Sequence, residues 1–336
     1  MKKLLKIRSL LFIFLGVISL LLSNCKKDFD WPKGMEGKFL YCIQSTFPSV
    51  TYLIDDSGIN EIYNHTYAVG PEWAPDGSKF LLALGESYTF VIMNAQRKTL
   101  NIVDGDSPIF SGNGLQIAFI DHSSGLFDSV CVSSSNGTGK YYLSLVPKFT
   151  DLIEWSPDGT KIAIDKDVEI YPNLVSDSIG FADENGFIFL TKGYNPCWSL
   201  DGSQMYYIKD NAFWNITLSD HSVYKLVDLP EELAGYEWFN LYSFSPDRTK
   251  IAFELYHFDS DVVTVNVLRI DGSGSKEVFT IPSVCESIPR WSKDGTQIAF
   301  VNPDGITVIN EDGSDARNLF IAMKGEEHII AFDWHN

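Results

Sequence analysis

Trp155-Ser-Pro-Asp-Gly-Thr-Lys-Ile162 carries an aromatic residue through Ser-Pro-Asp-Gly into an apolar run, and the chain repeats that phrase six times in all. The other copies are Trp73-Ala-Pro-Asp-Gly-Ser-Lys-Phe80, Phe110-Ser-Gly-Asn-Gly-Leu-Gln-Ile117 and Trp198-Ser-Leu-Asp-Gly-Ser-Gln-Met205, followed by Phe244-Ser-Pro-Asp-Arg-Thr-Lys-Ile251 and Trp291-Ser-Lys-Asp-Gly-Thr-Gln-Ile298. Pro presets φ for the second position of a type I turn, and Asp accepts hydrogen bonds from the backbone just ahead of it. Gly then takes the left-handed conformation that a Cβ resists. Each phrase is therefore a hairpin turn between a strand ending at the aromatic and a second, apolar strand. Turn chemistry accounts for every Asp without a metal or acid/base role. Arg248 stands where the fifth turn should have Gly, at an expected cost of about 1 kcal/mol; local drift of the sequence is the simpler reading.

Working outward, the aromatic anchors lie 37, 45, 43, 46 and 47 residues apart, the period of a four-stranded propeller blade. Each unit reads as inner strand, turn, second strand, loop, third strand, turn and outer strand. A seventh inner strand, Ile329-Ile-Ala-Phe-Asp-Trp334, follows the sixth unit, its Trp 43 residues after Trp291. The missing partners stand at the other end: Lys38–Ile43, Thr51–Ile54 and Ile59–Tyr63 read as second, third and fourth strands. Joining the ends makes a composite seventh blade and leaves no open sheet edge. The expected fold is an all-β, seven-bladed propeller. Trp31-Pro-Lys-Gly could be a degenerate inner strand, which would make Trp334 surplus and change the count to six or eight blades.

These repeats resemble the short WD40-like repeats in the propeller of TolB and its relatives, over essentially the whole mature chain. The resemblance implies a propeller and an envelope setting. It implies no activity, since such propellers serve as binding modules, gates and lyases. The chain lacks TolB's N-terminal α/β domain and has seven blades where TolB has six. The repeats also resemble those of oligogalacturonate lyases, which use a metal-binding His cluster; no matching motif is present.

Met1-Lys-Lys-Leu-Leu-Lys-Ile-Arg8 followed by the apolar run Leu10–Leu22 has the layout of a signal peptide. Leu22-Ser-Asn-Cys25 resembles a bacterial lipobox, which implies lipidation of Cys25 as the first mature residue. The alternative, an uncleaved anchor, has an apolar run short for a bilayer span. The expected organisation is a signal peptide over 1–24, a lipid-anchored linker over 25–37 and a propeller over 38–336. The expected address is the cell envelope, with the protein held on the outer membrane by its acyl chains.

The chain holds 26 Lys and Arg against 44 Asp and Glu, a net charge of −18. Loss of Lys2, Lys3, Lys6 and Arg8 with the signal leaves 22 against 44. Such a surface repels nucleic acid, whose binding needs cations on phosphates. Cys42, Cys131, Cys197 and Cys285 fall in separate units without Cys-x-x-Cys spacing, and are expected to be free, buried thiols. No Gly-x-Ser-x-Gly elbow occurs. Asn136-Gly-Thr-Gly-Lys140 lacks the first Gly of a phosphate loop and reads as a hairpin turn. His65, His122, His221, His257, His328 and His335 form no His-x-x-x-His pair. No catalytic residue, metal or cofactor is therefore assigned.

A ligand is expected at the rim of the central tunnel, on loops joining second to third strands and blade to blade. The connections 165–177 and 230–240 are unusually long, and long connections in compact repeats tend to be functional. They carry Tyr171, Tyr236, Trp238 and Phe239 among carboxylates, and His257 opens a third such loop. Exposed aromatics beside carboxylates suit a peptide or a sugar. The expected role is non-catalytic binding of an envelope protein or glycan. The competing role is a polysaccharide lyase or related hydrolase working through rim His and carboxylate groups.

Overall fold

The computed structural model describes residues 37–44, 49–65, 68–84, 88–122, 127–148, 150–166, 169–170, 174–175, 178–229, 242–257, 260, 262–282, 287–321 and 328–335. Seven four-stranded antiparallel sheets make seven blades. Blade three shows the plan: inner strand Thr150–Trp155, then Ile162–Lys166, Ser178–Asp183 and outer strand Gly186–Lys192. A short hairpin, Glu169–Ile170 with Leu174–Val175, extends its second connection.

The ring closes as the sequence predicts. The C-terminal strand His328–His335 is the inner strand of the seventh blade, paired antiparallel with Lys38–Gln44, with Phe39 opposite Trp334 and Tyr41 opposite Phe332. Ser49–Asp55 and Gly58–His65 complete that sheet. Trp31 lies outside the described residues, and Trp334 is an integral anchor. Its ring stacks on Phe39 at 5.5 Å between centroids.

The core follows from the alternation of strand side chains. Every blade presents apolar residues to both neighbours, and the buried residues fall into seven clusters, one per seam. Trp155, for example, packs with Ile120 and Val132 of blade two, while Trp198 packs with Ile179 and Phe181 of blade three. Cys42, Cys131 and Cys197 are buried free thiols as expected; Cys285 lies outside the described residues.

Each phrase forms the expected turn. The backbone N–H of Gly159 donates to Ser156 O at 2.8 Å, and the other five copies repeat this bond. Asp158 Oδ1 accepts from Ser156 Oγ at 2.6 Å and from Thr160 N at 3.0 Å. These donors, that of Ser156 foremost, hold the Asp158 carboxyl down at about 2. Gly77 has φ 64, and there a Cβ would lie 2.3 Å from His335 Nε2, so the conformation favours glycine and a side chain would displace His335.

Acidic residues just before the anchors link the blades. Asp333 accepts from Trp73 N at 2.7 Å, Glu72 from Phe110 N at 2.9 Å and Glu154 from Trp198 N at 3.0 Å. Arg248 keeps the turn with φ 59, and its guanidinium reaches the Glu154 carboxylate two blades away. This corrects the reading of Arg248 as drift: the residue forms a cross-blade ion pair.

Candidate functional site

The two faces of the ring differ in construction. Phrase turns and the turns between third and outer strands share one face, here the turn face. They are tied together by backbone bonds such as Ala95 N to Ser78 O and Ile270 N to Thr249 O. The phrase aspartates accept from the Ser and Thr beside them, so this face is a repeated structural device. The opposite, connection face is built by second-to-third-strand loops and blade-to-blade loops, whose lengths vary from blade to blade.

Five segments of the connection face converge between blades one and two. His122 follows the second strand of blade two, Gln116–Asp121. Its Nδ1 lies 2.9 Å from Asp128 Oδ1, on the third strand Phe127–Ser134. Lys148, past the end of the outer strand Tyr141–Pro147, places Nζ 2.6 Å from the same oxygen. Asp106 opens the inner strand, its Oδ2 3.6 Å from His122 Nε2. Tyr88 of blade one meets the imidazole edge-on at 4.8 Å.

Local backbone chemistry aims these groups. Tyr88 and Ser107 are left-handed, with φ 48 and 46, conformations that non-glycine residues adopt at a cost. The Ser107 N–H donates to Asp106 Oδ1 at 2.7 Å, which fixes that carboxylate beside the imidazole. Asp128 is 1% exposed. A carboxylate so buried needs a charged, hydrogen-bonding partner, here Lys148, with His122 Nδ1 against the same oxygen. His122 Nε2 faces the Asp106 carboxylate. Neither Nε2 nor Asp128 Oδ2 has a hydrogen-bond partner among the described residues. Tyr88, 58% exposed, stands over this cluster as an open aromatic.

The same face carries a second polar group. His257 ends the strand Lys250–His257, and its Nε2 lies 2.9 Å from Thr264 Oγ1. Thr264 Oγ1 also accepts from Asn266 Nδ2 at 2.9 Å. His257 is thus at the rim where the sequence put it, engaged with its own blade. Tyr171, Tyr236, Trp238 and Phe239 lie outside the described residues, as does Cys25. Among the described residues no group of three or more His, Cys, Asp and Glu is placed to hold a metal ion.

Sequence reasoning passed over Tyr88, Asp106, Asp128 and Lys148. His122 was visible in the loop Asp121-His-Ser-Ser-Gly125, but its partners lie on four other segments. The Ser-Pro pair after Asp106, just before an anchor, was the one available hint of an unusual inner-strand entry.

No protein-family model and no curated protein matches this sequence. Solved structures do match in shape. TolB from Acinetobacter baumannii aligns over 89% of this chain and 66% of its own, at 15% identity and a TM-score of 0.52. An oligogalacturonate lyase in complex with manganese aligns over 84% of this chain and 85% of its own, at 12% identity and a TM-score of 0.57. A prolyl endopeptidase aligns over 86% of this chain and 49% of its own, at 12% identity and a TM-score of 0.58. At these identities the likeness is one of fold: a TolB-like, WD40-like seven-bladed propeller.

Proposed function

We propose that this chain is an envelope lipoprotein, anchored through Cys25, whose propeller binds a partner protein on the connection face without chemistry. The observation that carries the reading is the contrast between the faces. One is a uniform set of turns whose aspartates bond to their own neighbours. The other gathers a polar cluster from five segments of two blades under an exposed tyrosine.

Charge narrows the partner. With 22 positive against 44 negative side chains after the signal, the surface favours a basic protein patch and steers it into encounter. The same charge opposes an oligogalacturonate-type polyanion, so the lyase reading fits this chain poorly. A neutral glycan stacked on rim aromatics is the outcome the test separates. The loop residues Tyr171, Tyr236, Trp238 and Phe239, with His257, complete the proposed rim.

A photo-crosslinking residue at Tyr88, compared with one at Leu115 on the turn face, tests this in intact cells. A discrete protein adduct from position 88 alone, weakened by added salt in isolated envelopes, is expected. Adducts from Leu115 alone, or capture of neutral glycan unaffected by salt, would overturn the reading.

A further inference from the structure

We infer that the turn face lies against the membrane surface and that the connection face points away from it, with anionic lipid headgroups as the neighbour of the turn face. The inference rests on the lipidation at Cys25 proposed above. It goes beyond that reading by fixing which end of the propeller a partner can approach.

The first observation is where the chain enters. Lys38 begins the second strand of the composite blade opposite His335, and second strands begin on the turn face. His335 packs on the Gly77 turn of blade one, and Lys38 Nζ sits 5.6 Å from the Trp73 ring centroid. Entry is therefore on the turn face, next to the innermost strand.

Reach favours the same face. Cys25 lies 13 positions before Lys38, which spans at most roughly 45 Å when fully extended. A bilayer beneath the connection face would require the linker to run outward past three strands and then along a blade edge. At about 4.8 Å between strands and about 3.3 Å per residue along one, that detour takes roughly 35 Å. It would use most of the linker's reach and press the acidic rim on the headgroups. A bilayer beneath the turn face needs no detour.

Charge points the same way. Lys79, Lys161 and Lys250 occupy one phrase position on the turn face, Lys98 and Lys293 lie in its turns, and Lys276 stands at the start of the outer strand Ser275–Ile281. Lys250, Arg269 and Lys276 also line a cavity of about 380 Å³ there, together with Glu311 and Asp312. These cations partly offset the turn carboxylates, on a chain that is more strongly acidic elsewhere. Screening confines headgroup repulsion to about 8 Å at physiological salt, so only the face nearest the bilayer feels it. The turn face meets the least repulsion. Leu115 and Leu200 project from its turns, 67% and 60% exposed, and give it apolar points of contact.

The test uses the full lipidated chain in vesicles containing phosphatidylglycerol and a headgroup-attached fluorescence acceptor. A fluorescent amino acid replaces Leu200 in one variant and Asp210 in another. These positions sit at opposite ends of the strand Gln204–Lys209, about 20 Å apart. Stronger energy transfer from position 200 than from 210 is expected, with transfer from neither in Cys25→Ala. Equal transfer, or stronger transfer from 210, in protein that floats with the vesicles would overturn the orientation while leaving lipidation standing. Failure of the unsubstituted chain to float with vesicles would remove the lipidation reading, and the orientation with it.

Discussion

Arg248 shows how a single residue can look like an error in sequence and be a constraint in structure. Its five sister turns hold glycine, and its φ of 59 carries a penalty of about 1 kcal/mol. Against that, the guanidinium pairs with Glu154 across two blades and lies 5.8 Å from the Phe244 ring centroid. Removing one partner of a buried pair costs about 3–5 kcal/mol, and partial exposure at this site lowers the figure to about 2. Arg248→Gly is therefore expected to lose about 1 kcal/mol net despite relieving the backbone, read as a lower melting temperature. A variant that melts at or above wild type would restore the drift explanation. The local phrase disclosed the left-handed position but not the compensation, because Glu154 is 94 residues away and only ring closure brings it near.

At the level of elements, the composite blade was legible because two halves of one repeat stood at opposite ends of the chain. Its consequence is that the C-terminal strand is the closure. Deleting residues 329–336 removes Ile329, Phe332 and Trp334 from a buried seam and takes away Asp333, the acceptor of the Trp73 N–H. At roughly 25 cal/mol per Å² of apolar surface, the loss amounts to several kcal/mol. A broadened, much lower thermal transition is expected; melting within a degree or two of wild type would show the strand to be dispensable. The inner strands beside the closure should respond to pH. Burial pushes the Glu72 carboxyl up to about 8, aided by Asp333 and opposed by the Phe110 N–H and Arg290. A folded value above the unfolded one means that the native state holds the proton. Its stabilisation is full below about 4.5 and fades as pH rises toward 8. His335, pushed down chiefly by burial and next by Lys38, works in the opposite direction, so the readout is a difference. Glu72→Gln, which keeps an acceptor for Phe110 N, should gain on wild type in melting temperature as pH goes from 5 to 8. A constant difference across that range would refute the assignment.

For the whole molecule, sequence delivered the ring and left the site half read. Phrase turns are local and repeated, so their physics is written in adjacent residues. The cluster of Tyr88, Asp106, His122, Asp128 and Lys148 is assembled from two blades and five segments, and no spacing rule joins them. Acidity, by contrast, is a global property that composition already held, and it sets an expectation for binding: affinity for a basic partner should fall steeply with ionic strength. The most direct measurement takes the envelope protein recovered through position 88. Its affinity is compared with thermal melting for Tyr88→Ala and Trp238→Ala, the proposed rim residues, and for Leu115→Ala and Leu200→Ala on the turn face. The account predicts at least about tenfold weaker binding for the first pair, equivalent to about 1.4 kcal/mol, with melting within a few degrees of wild type, and no change in affinity for the second pair. Loss of affinity in the turn-face pair with the proposed rim pair unchanged would contradict it.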